Sequence, residues 1–435
     1  MSDNLPLEMQ LEIMKKLPIK SLIQFRSVSK TWKHQIDSSD FISHYNGNNN
    51  LLITYDPPGY LNPYYVSIAD DHTFPQHKVS LNVPLLVNLL ECCCIIGSSH
   101  GLLCLGGFYY HITSDCYPSR VDMVVLWNMS IRKTIPIVVP NKEVGMTYGS
   151  VVGFGVCRAT TDPKIVKIRY IANESDLDSI TSIPWQVEVF TLSTGAWRSL
   201  CNNLPRKSIK FDGLQVVVDG FLYWRGTDRI NAIGGYTFYN MIMSFDVTTE
   251  EFREVNLPRS LARESVENLS MSKLRESLVV LHHGVQSDNP IFDVWMMEDG
   301  VSKLFTKLFT INVNIPDEVY VRGFRKGGEP IIEVFKDDIP IYNLGVYDPY
   351  SKHVDFLEIN GMCAYSVFPY METLLMLDQP NLEVYNETET IRILDDLASE
   401  VDRLQLVFAL ASPILRQLKI SMNWVDEVAY LICND

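Results

Sequence analysis

A short unit recurs along most of this chain: an apolar run ending in an aromatic residue, a polar turn, then another strand. It reads VVLWNMSIRKTIPI at Trp127, VEVFTLSTGAWRSL at Phe190, MIMSFDVTTEEFREV at Phe245, FDVWMMEDGVSKLF at Trp295 and LGVYDPYSKHVDFL at Tyr347. The aromatic anchors lie 63, 55, 50 and 52 residues apart. YYVSIADDH at Tyr65 reads as a degenerate earlier copy, and a further strand recurs between anchors as HGLLCLGG, DGFLYWRG and ESLVVLHHG. A small sheet cannot bury its own faces alone, but several stacked around an axis can, so a period near 50 in alternating sequence predicts a ring of blades. About six kelch-like propeller blades fit between residues 50 and 375. The competing architecture is a pair of β-sandwiches.

Residues 1–45 follow a helical period instead. Asn4 is placed to cap a first helix, with Pro6 in its first turn, where a missing N–H costs nothing. Leu7, Leu11 and Met14 recur at helical spacing on one face, Glu12 and Lys16 are spaced to pair, and Pro18 stops the helix. A second helix is expected over Ile19–Val28 and a third after Ser29, with Trp32 and Ile36 one turn apart. The polar run from His44 to Asn50 is a linker. Three short helices cannot bury Leu5, Leu7, Leu11, Ile13, Met14, Leu17, Leu22, Phe25, Val28 and Trp32 among themselves. The surplus apolar surface either covers the downstream domain or meets the helices of a partner. The fold class is therefore α+β multidomain: three helices in residues 1–45, an all-β propeller over 46–378, and a mixed tail over 379–435.

Composition narrows the function. The net charge of −15 and the lack of a long Lys/Arg run argue against nucleic-acid binding, which needs a basic face to displace counterions. The most apolar stretch, Val83–Ile96, is too short to span a bilayer and carries Asn88 and Glu91, so it reads as buried strand and no membrane partner is expected. The first residues lack a basic run leading into an apolar core, so the expected location is cytoplasm or nucleus, with reduced thiols. The nine cysteines, an odd number with Cys92, Cys93 and Cys94 adjacent, form no disulfide framework. The sequons at Asn128, Asn173, Asn268 and Asn386 are then chance matches.

No catalytic set, metal site or cofactor motif emerges. Gly97–Gly101 matches G-x-S-x-G around Ser99, but LLCLGG follows, a strand where the nucleophile turn of a hydrolase needs a helix. His100, Cys104, Cys116 and the Cys92–Cys94 run lack the paired spacing of zinc sites. His282 and His283 read as loop residues, and Gly323–Pro330 as a hairpin with two solvated cations. Arg158, Arg225 and Arg229 are candidate loop contacts for a protein target, weighed against ordinary surface charge.

The segment LPLEMQLEIMKKLPIKSLIQFRSVSKTWKHQIDSSDF resembles the F-box. The likeness rests on Leu5-Pro6 with Glu8, Ile13, Leu17-Pro18, Lys20-Ser21-Leu22, Arg26-Ser27-Val28-Ser29-Lys30, Trp32 and Phe41. GSSHGLLCL, SVVGFGVCRATTDPKIVKI, VVVDGFLYW, GFRKGGEPIIE and the anchor segments resemble the plant F-box-associated interaction domain over roughly residues 95–378. The tail departs from that domain's usual ending and faintly resembles a second plant F-box-associated module. The resemblance implies a substrate-recognition subunit of a Skp–cullin–F-box ubiquitin ligase. The Skp-type adaptor would meet Leu5, Pro6, Leu11, Ile13, Leu17, Pro18, Leu22, Phe25, Val28 and Trp32, and the cullin scaffold would be reached through it. Leu5, Pro6, Ile13 and Leu17 are the stronger adaptor contacts, and each residue's alternative is internal helix packing. The propeller would hold an unidentified protein for ubiquitination, with no catalysis by this chain. The alternative is a protein-binding propeller outside the ligase, in adaptor-only complexes or pollen-recognition-type interactions.

Overall fold

The computed structural model describes residues 5–375 except 46, 59–62, 113–117, 141–147, 172–185, 202–203, 207, 233–234, 287–288, 299–303, 314, 316, 337–340 and 363–364. The tail over 379–435, Asn4 and Cys116 thus lie outside the described residues.

The N-terminal segment forms four helices: α1 (Leu7–Met14), α2 (Ile19–Val28), α3 (Lys30–Ile36) and α4 (Ser39–His44). Pro6 and Pro18 stand at the N-caps of α1 and α2 in extended conformation, where an absent N–H leaves nothing unpaired. Ser29 precedes α3 without a capping bond, whereas the Ser38 hydroxyl accepts the Phe41 N–H and starts the unforeseen α4. Glu12 pairs with Lys15 at 3.0 Å and not with Lys16.

The described strands build six four-stranded antiparallel sheets, a six-bladed propeller. Blade 1 begins with Glu91–Ser99, blade 2 with Tyr148–Val156, blade 3 with Ile209–Val218, blade 4 with Leu269–Leu274 and blade 5 with Glu318–Phe324. Blade 6 closes the ring by joining the last strand, Ser366–Met371, to Asn49–Tyr55, Tyr64–Ala69 and Lys78–Ser80 from the start of the domain. The first strands of neighbouring blades touch around the axis. Apolar clusters fill every blade-to-blade interface.

The recurring anchors have a physical reason. Trp127, Phe190, Phe245 and Tyr347 all stand one residue before the end of a blade's third strand and are buried against the preceding blade. The next residue often holds the following turn: Asn128 Oδ1 accepts the Ser130 N–H at 3.0 Å, Asp246 Oδ1 that of Thr248 at 2.8 Å, and Asp348 Oδ1 that of Tyr350 at 2.9 Å. Five positions past each anchor the backbone is left-handed, at Arg132, Gly195, Glu250 and Lys352. Blade 4 departs from the pattern. There Met297 takes the anchor position and Trp295 lies two residues earlier, opposite a bulge at Leu308 of the fourth strand. Tyr65 sits on the correct third strand of blade 6, yet it faces forward and packs on Trp127 with ring centres 5.7 Å apart. Val83–Ile96 is not a single strand: Pro84 starts a short helix, Leu85–Asn88, before the strand from Glu91.

Candidate protein-docking surface

Because each blade is a meander, its first-to-second and third-to-fourth hairpins emerge on one face of the ring, and the other connections on the opposite face. The helical segment enters Asn49–Tyr55 from the first of these, the near face. The longest connection, between Ile171 and Gln186, leaves from the far face.

The four helices share a small core of Met14, Ile19, Leu22, Ile36, Phe41 and Tyr45. Outside it five large apolar side chains face solvent. Leu5 is 40% exposed, Leu7 41%, Met9 55%, Ile13 54% and Val28 70%, and Pro6 and Pro18 are exposed beside them. Leu5, Met9 and Ile13 recur every four residues along one stripe. Leu7, Leu11 and Met14 do not share one environment: they run from exposed through half-buried to buried as α1 tilts into the core. Leu11, Leu17, Phe25 and Trp32 are half-buried. Leu22 is the correction among the adaptor candidates: it is fully enclosed, so no partner can touch it without opening the helices.

One polar relay holds this stripe in shape. Trp32 Nε1 donates to Gln10 Oε1 at 3.1 Å, and Gln10 Nε2 donates to the Leu5 carbonyl at 2.7 Å. Trp32 also packs on Phe25, ring centres 5.2 Å apart, and Arg26 ties α2 to Asp37. The sequence singles out neither Met9 nor Gln10, and it counts Leu7 as surplus apolar surface without placing it among the adaptor contacts. The every-fourth-residue stripe through Leu5 and Ile13 could have shown Met9, whereas nothing local shows the role of Gln10. Glu12, its carboxyl held below the usual range by the bond to Lys15, borders the stripe.

The candidate arginines are internal braces. Arg158 pairs with Asp219 at 2.9 Å and lies over the Phe221 ring. Arg225 donates to the Val266 carbonyl at 2.7 Å and pairs with Asp212. Arg229, 3% exposed, donates to the Ser208 and Ile171 carbonyls. The Gly323–Pro330 hairpin is likewise not a solvated pair of cations, because Arg325 binds Asp70 and lies 4.0 Å from the Phe74 ring centre. His282 and His283 belong to a strand, Ser277–Gln286, where His282 meets Glu264 and His283 stacks on Phe292. Around Ser99, His100 and Gly101 make a tight hairpin with left-handed backbone, and a strand follows. Among the described residues, no group of His, Cys, Asp and Glu has metal-binding geometry, and no helix is long and apolar enough to cross a membrane.

Residues 2–44 match the F-box domain and residues 113–368 match the F-box associated beta propeller domain. The chain belongs to the F-box proteins that carry this propeller. Its relatives include F-box protein CPR1 of Arabidopsis thaliana, 26% identical over 71% of this chain and 73% of that one. F-box protein At5g10340 from the same plant is 25% identical over 84% of this chain and 82% of its own length. F-box/kelch-repeat protein At3g23880 is 24% identical over 78% and 88%.

Proposed function

We propose that this chain is the substrate-recognition subunit of a Skp–cullin–F-box ubiquitin ligase, acting without catalysis of its own in cytoplasm or nucleus. The observation that carries the reading is the exposure of Leu5, Pro6, Met9, Ile13 and Val28 on helices whose core is already filled by Met14, Ile19, Leu22, Ile36, Phe41, Tyr45 and Leu374. Exposed apolar side chains in one stripe mark a protein interface, and a Skp-type adaptor is the partner an F-box implies. Leu17, Phe25 and Trp32 shape the edge of the same surface, and the cullin scaffold is reached through the adaptor. Because the helical segment enters from the near face, the target protein is assigned to the far one. The work done is proximity: tethering raises the target's effective concentration near charged ubiquitin to about millimolar.

The test is binding of purified Skp-type adaptor to the intact chain and to a Leu5→Ala, Pro6→Ala, Leu17→Ala variant whose propeller is shown to fold. Tight binding lost in the variant supports the reading. A well-folded intact chain that ignores the adaptor would overturn it.

A further inference from the structure

The core of the F-box is completed from the other end of the chain. Leu374, three residues past the last propeller strand, is 1% exposed among Met14, Ile19, Leu22, Ile36, Phe41 and Tyr45. Its neighbours in sequence grip the propeller instead. The Thr373 N–H donates to Ser130 Oγ at 3.3 Å, the Leu375 carbonyl accepts from Asn128 Nδ2 at 2.9 Å, and the Leu375 side chain packs beside the cluster between blades 1 and 2. At the start of this strap, the Glu372 N–H donates to the Asn48 carbonyl in the linker at 3.1 Å. Gly47 and Gly101 press so closely on Glu372 and on Met371 and Thr373 that a Cβ at either would collide with them. An extended backbone sends alternate side chains to opposite sides. Here that alternation points Leu374 into the helices, and Thr373 and Leu375 into the ring.

We propose that the strap Glu372–Leu375 is the positioning element of this protein, holding the F-box at one attitude on the near face of the propeller, with Leu374 as its key residue. Its use rests on the ligase reading above: a target on the far face is then presented to ubiquitin transfer from a fixed direction, and the tether is short and stiff. A flexible two-domain tether would spread the target over many positions and lower its effective concentration at any one of them. The adaptor candidates Leu5, Met9 and Ile13 face solvent and lie outside the core that Leu374 joins, so the strap acts through geometry and not through the adaptor interface.

The experiment measures the distance distribution between spin labels at Thr31 on α3 and Tyr350 on a near-face hairpin of blade 5. The labels are introduced as non-natural side chains in the full chain, so the native thiols stay untouched. The intact chain is expected to give one narrow distribution, and Leu374→Ala to widen it at least ~2-fold while adaptor affinity stays within ~2-fold. Leu22→Ala, which opens the same core but leaves every strap residue in place, should leave the distribution narrow for as long as the helices stay folded. If Leu374→Ala unfolds the helices, Thr373→Pro decides, because it deletes the N–H held by Ser130 and leaves Leu374 in place. A broad distribution in the intact chain, or a narrow one in both strap variants, overturns the proposal. Because the distances are read first without adaptor, loss of the ligase reading would show separately, as failure of the intact chain to bind adaptor.

Discussion

Arg325 Nε lies 3.0 Å from Asp70 Oδ1 across the seam where blade 5 meets blade 6, joining residues from opposite ends of the propeller sequence. The second carboxylate oxygen accepts the Lys326 N–H at 2.7 Å, and Asp70 is almost wholly buried. Removing the cation would leave a buried charge short of partners, which costs on the order of 3 kcal/mol. Arg325→Ala should therefore lower the urea midpoint by that equivalent, and Asp70→Asn in the same background should recover part of it. A loss below about 1 kcal/mol would mean the ring closes on apolar contacts alone.

Gln215 plays the corresponding part at the axis. Its side-chain amide donates to the Phe154 carbonyl at 2.7 Å and accepts the Phe154 N–H at 2.9 Å, so blade 3 completes the backbone bonding of blade 2. Gln215→Leu keeps the bulk and orphans both groups. A destabilisation of about 3 kcal/mol is expected, since each buried unpaired backbone group costs ~1–3 kcal/mol. Near-neutral unfolding curves would show that water replaces the amide.

Glu372 carries a pH dependence. Burial holds its carboxyl above the usual range, opposed by the Asn48 N–H and by Lys20. A folded state that binds the proton more tightly than the unfolded chain is favoured at low pH and loses that advantage as pH rises through the raised value. Glu372→Gln should thus be more stable than the native chain at neutral pH, with the difference vanishing below the ordinary carboxylate range. Unfolding by urea across that window checks the sign, and a Gln variant less stable at neutral pH would contradict it.

Exposure separates contact residues from core residues in the F-box. Ile13→Asp should weaken adaptor binding at least ~30-fold, the scale of an interface hot spot, with an unchanged unfolding midpoint. Leu22→Ala should behave the opposite way in the free chain, costing about 3 kcal/mol of stability through the cavity it leaves. Equal effects of the two on stability would remove the distinction between stripe and core.

Much of this was legible in the residues. The change from helical to alternating period marks where the propeller begins, and the anchor spacing shows its blades because each anchor sits at a fixed place in a local hairpin. The reading slipped where a local signal had two causes. Trp295 matches the aromatic signal of an anchor, but the strand runs two residues further and Met297 on the same face takes that position. Arg158, Arg225 and Arg229 read as candidate loop contacts, whereas carboxylates and carbonyls elsewhere in the propeller claim all three. Sequence could list the apolar residues of the F-box but could not sort Leu22 from Ile13, since both obey the same helical spacing.

What the sequence by itself determined is everything with a short period: the helices, the hairpins, their Asx-held turns and the number of times the unit repeats. Such features depend on residues a few positions apart, whose geometry is set by backbone sterics and local hydrogen bonds. Only the tertiary structure decided that Asp70 meets Arg325, that Gln215 serves Phe154, and that Leu374 fills a core begun at Met14. Those partners are brought together by closing a ring, and ring closure leaves no periodic trace in the chain that closes it.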